Sequence, residues 1–400
     1  MMGFLVQRNI FLLAVSQALV LSSTTMSMAV GAIVGKALAP SAALATVPVA
    51  LMLVGTALFS VPAGRLMQRH GRRVGFMTGA AIGLVGSLAA ALAIQEKSLL
   101  VFSLGLFLVG TYQSFGNFYR FAAADAADAT NASRAISLVV SGGLFAAFLG
   151  PQLAEWGRNI VSGKSYLGAY LLQAGLAGAA VLILGFLTIP RRSGKTAGRR
   201  TLPVSRILER PGLYVAIIAG AVSYALMSAL MITTPLAMLG DGHAQSSATP
   251  VIQWHVVGMF APSFITGTLI RRWGAPTVIL AGFSLIAVNI FIAMSGTSFW
   301  AYLTALALLG VGWNFAFIGS TALLTQSARP NQLARVQSLN ELFVFGLTAL
   351  AGLSAGWIFT KLGWNGLNLV ALPIVVLALL IVSVYTLSRR GKLARLQAAS

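Results

Sequence analysis

Apolar residues run along this chain in blocks of about 20, the length that crosses the hydrocarbon core of a bilayer, with short polar or glycine-containing breaks between them. The first six blocks cover residues 9–34, 43–67, 74–94, 99–121, 135–155 and 166–189. The second six cover 212–239, 247–270, 277–295, 299–324, 338–360 and 366–387. The pattern predicts an all-α membrane protein of about twelve transmembrane helices in two six-helix halves. A signal peptide competes for the first block, but that block outruns a signal's apolar core and continues into the same pattern, so it is read as a span.

Composition agrees with this reading. Hydrophobic residues make up 58% and charged residues only 8%, against about a quarter charged in a soluble domain. Mean hydropathy is +0.87. The net charge of +20 acquires meaning from its placement. With the amino terminus in the cytoplasm, 22 of the 27 Lys and Arg fall on that side, leaving Lys36, Lys97, Arg158, Lys164 and Lys361 outside. This asymmetry follows the positive-inside rule. It places both termini in the cytoplasm, gives the charge a topological role and argues against nucleic acid as a partner.

The basic run 191–210 lacks apolar periodicity and contains Gly, Ser and Pro. It reads as a cytoplasmic linker between an amino-terminal half, 1–190, and a carboxy-terminal half, 211–388, with 389–400 as a cytoplasmic tail. The halves repeat one another. GRLMQRHG at 64–71 answers GTLIRRWG at 267–274, 203 positions on, and Val109-Gly110 answers Val311-Gly312 at nearly that offset. Duplicated halves of this kind point to a transporter.

On these residues the chain resembles the major facilitator superfamily. In GRLMQRHGRR, Gly64, Leu66, Gly71, Arg72 and Arg73 fit that family's signature between its second and third helices, and Gln68 stands where the signature has aspartate. The resemblance implies that the aspartate helps latch the halves, a role a neutral Gln68 puts in doubt. A tight turn with basic anchors accounts for the same residues, so the motif reports fold and not cargo.

Cargo is sought among polar and soft groups inside the spans. Met227 and Met231 lie one helical turn apart on the seventh block, and His255 and Met259 have the same spacing on the eighth. Counted inward at about 1.5 Å per residue, Met231 and His255 lie at about 12 Å, and Met227 and Met259 at about 18 Å. Thioether and imidazole groups suit cuprous ion; packing is the other reading of the methionines. The pair resembles the MxxxM and HxxxM of the CcoA-type copper importers. That resemblance implies these four residues as metal ligands, and copper import across the bacterial inner membrane for assembly of cbb3-type cytochrome oxidase.

The repeat offset extends the set to Met28 and Met52, with Met26 on another side of its helix. His243 and Met238, beside the turn after the seventh block, are a candidate collecting point, with a solvated turn as the competing reading. Glu341, next to Asn340, is a candidate proton-coupling or gating group; an interhelical bond is its alternative. Asp125 and Asp128 are expected to pair with Arg120 or Arg134. Gln113, Asn289 and Asn314 are expected to make interhelical hydrogen bonds. Coupled and passive import both stay open.

No P-loop, HExxH or nucleophile motif is present and the chain has no cysteine, so neither an enzyme nor a thiolate metal site is expected. Copper enters as cargo and no cofactor is expected. The expected partners are the lipid bilayer and a cytoplasmic copper chaperone, with the chain acting as a monomer. An exporter of drugs or other organic solutes, using methionines and aromatics as an adaptable apolar pocket, and a membrane copper sensor or chaperone are the alternatives.

Overall fold

The computed structural model describes residues 2–40, 44, 47–128, 130–189, 210–329 and 332–398, and every regular element among them is helical. The expected basic linker lies outside the described residues except for Arg210. The chain falls into two compact units, described separately below: Met1–Ala197 with Gln337–Leu342, and Gly198–Val336 with Phe343–Ser400.

In the first unit, α1 (Met2–Leu38) precedes α2 (Val47–Leu58) and α3 (Ser60–His70). These last two form one span bent by 44°. α4 (Arg72–Gln95), α5 (Leu99–Gly116), α6 (Tyr119–Ala126), α7 (Ala132–Ser141), α8 (Gly143–Gly157) and α9 (Leu167–Leu184) follow. The second unit holds α10 (Pro211–Gly240), α11 (Gln245–Phe260), α12 (Ser263–Trp273), α13 (Ala275–Met294) and α14 (Phe299–Ser327). Most of α15 (Leu333–Ala398) belongs there too, and Gly363, at φ 68°, breaks it between the two blocks expected at 338–360 and 366–387.

Among the described residues, nine helices are long and apolar enough to span a bilayer, or ten with the bent pair. The twelve expected blocks all carry helix. The eighth fails the single-span criterion because Ala261-Pro262 divides it into α11 and α12, as Phe59 divides α2 from α3.

The internal repeat is visible in local stereochemistry. Gly71 and Gly274, 203 positions apart, both start a helix with positive φ, 90° and 83°. Only glycine takes that conformation without strain. Ser98 and Ser298, 200 apart, both cap helices, accepting from the amides of Val101 and Ala301 at 3.3 and 3.2 Å. The offset falls between these points, where α4 has 24 residues and α13 has 20.

Helix crossings repeat in the same register. A Cβ on Gly55 would meet the Phe107 carbonyl oxygen at 2.4 Å, and one on Gly258 would meet that of Ala307 at 2.6 Å. Across each crossing, Gly110 abuts the Met52 carbonyl and Gly310 the His255 carbonyl. Small residues let these helices approach where lipid supplies no hydrophobic drive. The expected equivalence of Gly110 with Gly312 is therefore corrected: Gly310 holds its place.

Candidate functional site

The imidazole of His255 is fully buried, and its Nδ1 lies 2.8 Å from the Leu306 carbonyl oxygen on α14. A carbonyl only accepts, so Nδ1 carries the proton and donates, leaving Nε2 as a bare acceptor with no partner among the described residues. One turn on, the Met259 carbonyl accepts from Asn314 Nδ2 at 2.6 Å. The α11 stretch bearing both residues thus packs on α14, and the histidine braces that crossing. Met227 and Met259 are buried at 2% and 7% exposure, and Met231 is half-buried. Among the described residues, no three His, Cys, Asp or Glu side chains group as metal ligands.

In the first unit, Met26 and Met52 share one apolar core with Val30, Phe102 and Tyr170, while Met28 is 46% exposed. The repeat partner chosen as the better candidate is exposed, and the weaker one packs with Met52. Met238 is buried, and its carbonyl accepts from the His243 amide at 2.9 Å. His243 Nε2 donates to the Thr297 carbonyl at 2.7 Å, and its ring meets Tyr302 edge-on at 5.9 Å. Tyr302 in turn donates to Asp241 at 2.5 Å. This turn is tied to the neighbouring one by hydrogen bonds.

The signature residues make a charged cluster in the first unit. Arg72 donates to Asp125 at 2.8 Å and to Gln337 Oε1 at 2.7 Å. Gly64 lies so close to Ser338 that a Cβ would overlap its hydroxyl. Arg120 donates to the fully buried Glu341 at 2.6 Å, and Asn340 Nδ2 donates to the same Glu341 oxygen at 2.8 Å. Gln68 and Arg73 are exposed, whereas Leu66 and Gly71 are half-buried. The expectation that Asp125 pairs with Arg120 or Arg134 is corrected to include Arg72, since the turn at Gly71 carries that guanidinium onto α6.

The neutral polar residues do bond between helices. Thr24 on α1 donates to Gln113 Oε1 at 2.6 Å, and Gln113 Nε2 donates to Asn117 at 3.0 Å. Asn314 joins α14 to Ser263 and Thr266 of α12, each at 2.6 Å. Asn289, with its amide turned to satisfy both groups, donates to the Ala305 carbonyl at 2.8 Å.

Sequence reasoning passed over an aromatic set in the second unit. Tyr224 of α10 lies edge-on to Trp313, Phe317 and Phe345 with centroids 5.2–5.4 Å apart. Trp313 stacks on Phe317 at 4.9 Å and meets Phe260 at 5.9 Å. The indole is 2% exposed, and its Nε1 has no partner among the described residues. The recurrence of aromatics at 313 and 317, one turn apart, was the available signal.

Two duplicated units of membrane-spanning helices with this signature define a secondary transporter fold. A Major Facilitator Superfamily profile matches residues 13–352 and, in a second match, 221–399, and the chain belongs to that superfamily. It is a multi-pass membrane transporter and not an enzyme.

The riboflavin transporter RfnT of Brucella anthropi is 41% identical over 375 residues, covering 93% of this chain and 94% of that protein. The uncharacterised transporter YdeG of Bacillus subtilis is 27% identical over 401 residues, covering 96% and 93%. Among solved structures, the human organic anion transporter MFSD10 aligns with TM-score 0.79 at 12% identity, covering 94% of this chain and 99% of that one. FucP in its outward conformation aligns at 0.76 with 16% identity, covering 95% and 98%. These structural likenesses show the fold alone.

The relative at 41% identity overturns the reading of the chain as a CcoA-type copper importer serving cytochrome oxidase assembly. A four-residue spacing of methionines and one histidine is too short to outweigh a match spanning nearly the whole chain. The copper-sensor alternative depended on the same motif and falls with it; the organic-solute alternative gains.

Proposed function

We propose that this chain transports an organic solute of the riboflavin class across the bacterial cytoplasmic membrane by alternating access. The observation that carries the reading is the 41% identity to a riboflavin transporter across 93% of the chain. A solute of this class, uncharged near neutral pH, also accords with a protein whose buried polar groups inside the spans are chiefly neutral amides and hydroxyls. The placement of 22 of 27 basic residues on one side supports cytoplasmic termini, a cytoplasmic segment 191–210 and a cytoplasmic tail.

The test is labelled riboflavin flux in bacteria that express the chain, followed in both directions with empty-vector controls. The proposal expects faster gain by depleted cells or faster loss from preloaded cells, with cell copper unchanged. Riboflavin flux equal to the vector's in both directions, or copper accumulation alone, contradicts it.

A further inference from the structure

We propose that the aromatic set around Trp313 in the second unit is where the solute's planar ring system binds, a claim that rests on the riboflavin-class reading above. The helix crossings within each unit give α14 and α5 the same register at an offset of 200: Gly310 answers Gly110, Ala307 answers Phe107, and Ser298 answers Ser98. In that register Trp313 answers Gln113 and Phe317 answers Asn117. The first unit is built with two hydrogen-bonded amides at these positions, so packing of the shared fold does not require aromatic rings there. Their presence in one repeat alone points to recognition.

Two further observations agree. Trp313 Nε1–H is a buried donor without a partner among the described residues, and leaving such a donor unpaired is unfavourable unless something else accepts from it. Tyr224 and Trp313 lie near the middle of helices of 30 and 29 residues, and secondary transporters bind cargo near the bilayer midplane. Tyr224 is the half-buried ring of the set, the one a solute meets first. A tricyclic isoalloxazine packs against Tyr224 with the offset or edge-on geometry aromatic rings prefer. With the Tyr224 ring turned aside, a flavin carbonyl or ring nitrogen accepts from Trp313 Nε1–H. Recognition is of the ring and not of its ribityl chain.

Purified full-length protein in proteoliposomes provides the test, read by riboflavin counterflow and by quenching of flavin emission on stacking. Lumiflavin, the ring without the ribityl chain, is expected to compete, and ribitol is not. Trp313→Phe, which keeps a ring and removes the donor, is expected to raise the half-saturation concentration about 3- to 10-fold. Tyr224→Leu is expected to do the same and to lose quenching, with the melting temperature and gel-filtration profile of the parent, which separates lost recognition from lost folding.

Wild-type counterflow with both Trp313→Phe and Tyr224→Leu at parental half-saturation and quenching overturns the site and leaves the riboflavin reading intact. Competition by ribitol and not lumiflavin also overturns the site. Absence of counterflow in the wild type overturns the riboflavin reading itself, and the site with it.

Discussion

Glu341 shows how much one buried charge constrains. Its carboxylate is fully buried against Arg120 and Asn340, and removing one partner of such a pair leaves the other charge uncompensated, costing about 3–5 kcal/mol. Glu341→Ala and Glu341→Gln both leave Arg120 uncompensated and are each expected to lower the melting temperature and yield of purified protein, the Gln variant less because its amide oxygen still accepts from Arg120 and Asn340; a parental melting temperature for both would deny the role of the charge. Glu341 stood out in sequence because a carboxylate in an apolar block demands a partner. The partner did not, because Arg120 lies 221 positions away. His255 was conspicuous for the same reason, but the bond of its Nδ1 to the Leu306 carbonyl was not legible, because no sequence pattern marks an available carbonyl lone pair. Trp313 escaped notice because an aromatic in an apolar block is ordinary until its N–H is found without an acceptor.

Helix crossings carry the next level. Gly110 and Gly310 abut the Met52 and His255 carbonyls on the facing helices, and backbone cannot swing aside as a flexible side chain can. Gly110→Val and Gly310→Val are each expected to destabilise by about 1–3 kcal/mol through overpacking, measured by thermal unfolding in detergent. Gly178→Val, at a position where a Cβ meets nothing within 4 Å, is expected to change little. If all three behave alike, the crossings are not close-packed in the way described. The elements themselves were legible because bilayer thickness sets their length. The repeat was legible at 203 through its glycine turns, but its drop to 200 was not. That drop arises from the shorter α13, and helix ends within an apolar run leave little trace in sequence.

At the scale of the whole molecule, the fold could be read from apolar blocks, a basic linker and duplicated motifs, since these follow from solvation and chain symmetry. Cargo could not, because it depends on a few side chains whose positions come from tertiary packing, and soft methionines recur in apolar helices without any metal. Reporter fusions after residues 200 and 400 are expected to report cytoplasm, and fusions after 97 and 243 the opposite side; the reverse pattern would refute the orientation drawn from 22 of 27 basic residues. The central claim is cargo, and entrance counterflow tests it without assuming either a driving ion or a direction. Purified protein is placed in vesicles preloaded with unlabelled riboflavin, and labelled riboflavin is added outside in trace amount. The account predicts a transient accumulation of label above the protein-free vesicles, abolished by excess external riboflavin and indifferent to copper. Label entering no faster than into protein-free vesicles would contradict it.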